Sequence, residues 1–251
     1  MPSIVGYTPS YLGLDYVEFF DDFTGNYVSA DKWTPLVADS SSAATLVLNH
    51  KTLPNGILSI TQDATDNDEI YFQSTVMPFL IANGKPMFME ISLNAAELAT
   101  DDANVLVGFQ SGVAAANDIQ DDGAGPKASA TQAVIYKVDG GTKWVCRSQI
   151  GAGVGVTTTT SRHNSAPLSS GLYTKLRIEV VPISSTVAEV TYSIDDGVNG
   201  WMQMEDANYQ KIKHQLVYTN AVACGTFFGH KAGSATADVL LVDYVYAAQK
   251  R

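Results

Sequence analysis

Cysteine is nearly missing from this chain, with two residues, Cys146 and Cys224, in 251. They stand far apart inside apolar runs, which points to two buried thiols, since a chain of this size builds a core without a disulfide staple. Positive charge is also scarce. Fifteen Lys and Arg stand against 26 Asp and Glu, for a formal net of -11, and the longest basic cluster is Lys211-Ile212-Lys213-His214. An acidic surface repels phosphate backbones, so nucleic acid is not an expected partner. No apolar run approaches the ~18 residues of a membrane span, so a membrane is not expected either. The opening Met1-Pro2-Ser3-Ile4-Val5-Gly6-Tyr7 lacks the basic and apolar regions of a secretory signal, and no Asn-x-Ser/Thr acceptor occurs. The expectation is a soluble protein made in a cytoplasm.

Catalytic and metal patterns are equally thin. His50, His163, His214 and His230 are scattered without paired spacing, so zinc is not expected. No Gly-x-Ser-x-Gly elbow occurs, and the glycines from Gly151 to Gly155 lead into threonines rather than a helix, which leaves no phosphate loop. No cofactor is expected. The acidic loop holding Asp63, Asp66, Asp68 and Glu69 offers hard oxygen ligands of the kind calcium takes, without EF-hand spacing. Its plainer reading has Asp66 and Asn67 capping a turn while Asp68 and Glu69 stay solvated. Trp144, Trp201, Tyr209 and Tyr218 are of the type that stacks on sugar rings, with core or hairpin packing as the plainer role for each. Trp201, in a loop beside Gly200 and Asn199, is the one expected to be exposed.

What the chain does have is strand character. The apolar share of 45% suits a real core. About a dozen short runs read as strands bounded by turn residues. Among them are runs at 19–23, 45–49, 57–61, 70–74, 87–93 and 105–109, and the pair 133–138 and 142–149 joined by Asp139-Gly140-Gly141. The strongest alternation lies in 173–181, where Leu176, Ile178 and Val180 face one way and Lys175, Arg177 and Glu179 the other. Runs at 187–194, 226–231 and 237–246 complete the set. Segments 113–132 and 151–171 read as long surface loops. No linker divides the chain and no helix is convincing, so the fold class is all-β, an antiparallel two-sheet sandwich spanning 18–251 as one domain. Residues 1–17 form a separate N-terminal arm. Its Pro2, Gly6, Pro9 and Gly13 break a helix, while Tyr7, Tyr11, Leu12, Leu14 and Tyr16 are too apolar for a solvated tail. The arm either packs on its own domain or makes contacts on a neighbouring subunit.

Asp21-Asp22-Phe23 with Trp33, the Gly56-Ile57-Leu58-Ser59-Ile60 strand, the Lys175-to-Val180 strand and the closing Val242-Asp243-Tyr244-Val245 strand resemble the concanavalin A-like (laminin G-like) jelly roll. Ala64-Thr65-Asp66-Asn67-Asp68-Glu69, then Asn83-Gly84-Lys85-Pro86 and the 87–93 strand, resemble a group of tailed-bacteriophage virion proteins, over nearly the full length after about residue 18. The resemblance implies a non-enzymatic structural protein, a capsid decoration (cement) protein on the virion exterior. Its partners would be the major capsid protein and neighbouring copies of itself. A tail or fibre position remains within the group's range, and the alternative is a lectin-like module of a phage tail or head fibre that binds surface glycan. Glucanases of this jelly roll carry a Glu-x-Asp-x-x-Glu strand, and no such string occurs here.

Overall fold

In the computed structural model the first and last described strands lie side by side. The described residues are 15–24, 28–38, 56–62, 65–95, 103–120, 124–152, 154–166, 171–234 and 239–251. The strand expected at 45–49 and the arm residues Tyr7, Tyr11, Leu12 and Leu14 lie outside them. β1 (Tyr16–Asp21) pairs antiparallel with β18 (Val239–Lys250), Tyr16 opposite Lys250 and Phe20 opposite Tyr246. Tyr16 and Val17, read from sequence as arm, therefore belong to β1 of the sandwich. They continue the same extended ladder as Phe19.

The terminal sheet runs β1, β18, β6 (Met87–Ala95), β13 (Thr174–Pro182), β14 (Val187–Asp195) and β15 (Trp201–Gln203). β3 (Leu58–Thr61) adds to β18, and β16 (Lys213–Val217) adds to β14. The second sheet runs β12 (Val154–Asn164), β11 (Lys143–Ile150), β10 (Gln132–Lys137), β7 (Ala103–Gln110), β17 (Val222–Ala232), β4 (Glu69–Ser74) and β2 (Trp33–Ala38), with β5 (Phe79–Ile81) on β17. A two-residue ladder, β8 (Ile119–Gln120) with β9 (Gly125–Pro126), lies outside both. Every pairing among the described strands is antiparallel. The fold class expected from sequence is the one observed.

The core lies between the sheets. Met87, Met89, Ile91, Leu176, Ile178, Val190 and Tyr192 from one face meet Phe72, Val105, Val107, Phe109, Ile135, Trp144 and Phe228 from the other, all in one buried cluster. Each such side chain contributes roughly 1.5–3 kcal/mol when withdrawn from water. The two cysteines are free thiols inside this core, and burial pushes the Cys224 thiol up to about 12.

Three sequence expectations change. Segment 151–171 is not a long loop: residues 154–164 form β12 against β11, with Thr157 to Thr160 opposite Ser148 to Val145. Threonine is β-branched, and a run of four suits a pleated edge strand better than a mobile loop. Trp201 is in strand β15 rather than a loop, opposite Asp195. Segment 113–132 holds the short β8–β9 ladder and lies at the surface, with Val113, Asn117 and Gln120 exposed, but it is not wholly solvated. Ala114, Asp118 and Ile119 are buried, and the segment roofs the outer face of the second sheet.

Two side-chain arrangements fasten the sandwich. Trp33 sits at 1% exposure, edge-on to Phe19, Phe72 and Phe228, and donates from Nε1 to Asp21 Oδ2 at 2.7 Å. Asp21 Oδ1 also accepts from the Phe23 amide at 3.2 Å, so one carboxylate links the end of β1 to the opposite sheet. At another edge, Ser148 Oγ, Tyr192 Oη and His214 Nδ1 lie 2.7, 2.8 and 3.0 Å apart pairwise, and His214 Nε2 is 3.2 Å from Thr159 Oγ1. These side chains come from β11, β14, β16 and β12 and join the two sheets. Burial depresses the His214 pKa to about 4.

Replacing Asp21 with Ala strands the buried Trp33 N–H and should cost about 1–3 kcal/mol in urea unfolding. A loss below 0.5 kcal/mol would remove this bond from the fold's supports. For His214 the folded pKa lies below the unfolded value of about 6.5. The unfolded chain therefore binds the extra proton between about pH 6.5 and 4, and stability falls as pH drops through that window. The whole contribution, about 3 kcal/mol at 1.36 kcal/mol per unit, should vanish from the pH–stability slope in His214→Gln.

Candidate functional site

The strands of the terminal sheet alternate, so their second face points outward. On it β1 gives Phe20, β18 gives Tyr244 and Tyr246, β6 gives Phe88 and Glu90, β13 gives Arg177, and β15 gives Trp201. Register lines them up: Phe20 opposite Tyr246, Tyr246 opposite Glu90, Glu90 opposite Arg177. Their contacts run on without a break. Phe20 and Tyr246 are 6.0 Å apart at ring centroids, Tyr246 and Phe88 5.3 Å, and both pairs are edge-to-face. The Arg177 guanidinium lies 6.0 Å from the Phe88 ring and 4.1 Å from that of Trp201. The band crosses six strands, about 24 Å at ~4.8 Å per strand.

Its charges are already paired. Arg177 Nη2 and Nε donate to Glu90 Oε2 at 2.6 and 3.1 Å, and the Tyr244 hydroxyl donates to Glu90 Oε1. Burial, helped by the Glu90 charge, pushes the Tyr244 pKa well up, so the phenol stays a donor. The band can therefore present rings and a satisfied ion pair to a partner without stranding a charge. Phe20 is half exposed, at 50%, and Trp201 and Tyr246 are partly so.

The calcium candidates are not brought together as a ligand set. Asp66 is exposed on its turn, whereas Asp68 and Glu69 are buried rather than solvated. Glu69 is committed to protein groups. Its Oε2 accepts from Tyr71 Oη at 2.7 Å and its Oε1 from the Asn117 amide at 2.7 Å, and Lys231 Nζ lies 3.6 Å from Oε2. The roof over the second sheet explains this: burial of both faces of β4 removes the solvent the sequence reading had assumed. No group of three or more potential metal-ligating side chains occurs among the described residues.

Of the aromatic candidates, Trp144 and Tyr218 are core, at 0% and 2% exposure. Tyr209, at 67%, is more exposed than Trp201 and lies under the Arg162 guanidinium at 4.7 Å. Tyr16 occupies the outer edge of the terminal sheet as the first residue of β1. Phe20, Phe88, Tyr246 and Arg177 were not singled out as a surface. Arg177 was legible as part of a charged strand face, but its meeting with Glu90 depends on strand register. The Ser148–His214 pair has nucleophile-to-base spacing, yet both residues are sealed in the core at 0% and 2% exposure.

No protein-family profile matches the chain, and no curated protein matches it. Solved structures do. An endo-1,3-beta-glucanase from Streptomyces sioyaensis superposes with a TM-score of 0.56 at 16% identity, covering 98% of this chain and 99% of that one. The carbohydrate recognition domain of Emp47p gives 0.55 at 10% identity, with 96% and 98% covered. That of Emp46p in its potassium-bound form gives 0.51 at 10%, with 86% and 88% covered. At such identities the likeness is one of fold. The chain is an all-β, two-sheet jelly roll of the concanavalin A-like type, the architecture shared by these carbohydrate recognition domains and this glucanase.

Proposed function

We propose that this chain is a non-enzymatic structural protein of a tailed-phage particle, a decoration (cement) protein that binds the outer head surface and stabilises it. The observation that carries the binding part is the outer band from Phe20 to Trp201. Aromatic rings and arginine on a rigid face, with the charge already neutralised by Glu90, are what the centre of a protein interface is made of. The particle context rests on the sequence resemblance. Its partners would be the major capsid protein and neighbouring copies. Stabilisation would come from burying this band across subunit junctions, repeated on a symmetric lattice, with no chemical step.

A second reading, a glycan-binding module, is favoured by one feature. Trp201 is partly exposed at the end of the band with Arg177 against its ring, and two of the fold neighbours are carbohydrate recognition domains by name.

Purified particles imaged by electron microscopy should carry the protein on the head. Phe20→Ser, at a half-exposed site that leaves the core intact, should lower occupancy about tenfold, the effect of losing one contact of ~1.4 kcal/mol. Full occupancy of a folded Phe20→Ser protein would remove the band from the interface. Removing residues 1–14, which spares the Tyr16–Lys250 pairing, should lower occupancy without changing the melting temperature. Unchanged occupancy would take Tyr7, Tyr11, Leu12 and Leu14 out of the contact. On a glycan array the second reading expects a signal that Trp201→Ala abolishes, and silence from the native chain would count against it.

A further inference from the structure

Beneath the roof over the second sheet three reactive side chains converge. Lys231 on β17 stands opposite Glu69 on β4 in the ladder, and both side chains are buried, at 1% and 3% exposure. Lys231 Nζ donates to the Asn117 side-chain oxygen at 2.8 Å and to the Ile119 carbonyl at 3.2 Å, and lies 3.6 Å from Glu69 Oε2. Asn117 is held in place from its own backbone, because its amide donates to Glu69 Oε1 and its φ of 61° fixes the turn. Tyr71 donates to Glu69 and accepts from the Ile119 amide at 3.0 Å. Tyr71, Phe227, Leu106 and Ile119 make the surroundings apolar.

A buried ion pair needs two members. Here the third is a carboxamide whose carbonyl carbon is one C=O bond, about 1.2 Å, beyond the oxygen that the lysine touches. We propose that Lys231 and Asn117 join in an autocatalytic intramolecular isopeptide bond, with Glu69 relaying the protons. The Lys231 ammonium passes one proton to Glu69, and the neutral amine adds to the Asn117 carbonyl carbon. The proton on the attacking nitrogen moves through the carboxylate to the amide NH2. The C–N bond of Asn117 breaks, ammonia leaves, and a new amide joins the two side chains. Ammonia then takes the proton held by Glu69 and departs as ammonium. Atoms and charge balance with no oxidant, metal or co-reactant.

Lys231 and Glu69 are withdrawn from water, while Asn117 itself is an exposed residue of the roof. Desolvation raises the pKa of Glu69, which suits a carboxyl group that must hold a proton transiently. Fixing nucleophile and carbonyl in contact replaces an encounter between free groups. The bond would tie the roof covalently to β17, a function beyond the particle reading and independent of it.

The test is intact-mass measurement and peptide mapping of the purified full-length chain after folding. The expected result is a mass lower than the unlinked chain by one ammonia, with a branched peptide joining Lys231 to Asn117. Asn117→Gly, which keeps the left-handed turn and removes the carboxamide, should carry the full unlinked mass, as should Lys231→Arg. Glu69→Gln should link at least tenfold more slowly. A native chain that folds and keeps the full mass overturns the proposal. So does ammonia loss mapped to a linear Asn117–Asp118 peptide, which would be cyclisation of the asparagine on its own backbone. Linking at the native rate in a folded Glu69→Gln protein overturns the relay.

Discussion

Two opposite charges facing each other across β4 and β17 set the terms for the roofed sheet. Glu69 and Lys231 occupy paired positions on its outer face. Removing both from water costs several kcal/mol per ion unless their remaining hydrogen-bonding capacity is met. The roof meets it through the amide and side chain of Asn117 and the carbonyl of Ile119. Its other fastenings have the same logic. Gln73 binds the carbonyl of Gly112 and the amide of Ala114, and Gln110 binds the Asp118 carboxylate. Further along, Arg147 reaches the Pro126 carbonyl and Gln149 that of Ala128. Beneath these ties Tyr71 stacks on Phe227 at 5.3 Å, and its ring lies so close over Gly229 that a Cβ there would sit 1.8 Å from it.

The same constraint divides the labour between the two faces of the molecule. A sheet whose central strands are buried on both sides does not offer those strands to a partner. β4, β7 and β10 are buried along their whole length. Among the described residues no second layer covers the outer face of the terminal sheet, and on that face the rings of Phe20, Tyr246, Phe88 and Trp201 gather around the Glu90–Arg177 pair. The β1 edge sits at the end of this band.

Much of the fold was legible because period-2 patterning is local. Leu176, Ile178 and Val180 against Lys175, Arg177 and Glu179 report the two faces of β13 directly, and Asp139-Gly140 marks the β10–β11 turn. The reading failed where composition stood in for context. The threonines of 157–160 resembled a low-complexity loop, yet they pair along β11. The acidic run ending in Asp68 and Glu69 resembled a solvated loop, since nothing local announces that residues some fifty positions later will cover it. Trp201 was noticed for its neighbours in sequence, whereas its situation is set by Arg177 from another strand.

By itself, then, the sequence determined the class of fold, the alternation of its strands, two buried thiols and an acidic exterior, because each follows from residue type and spacing within a few positions. Tertiary structure decided which carboxylates lost their water, that Lys231 meets Asn117 and Glu69, and that Phe20, Tyr246, Glu90, Arg177 and Trp201 form one band. These are matters of strand register and layer packing between segments far apart in the chain. A shift of one residue in register would turn every one of those side chains to the opposite face.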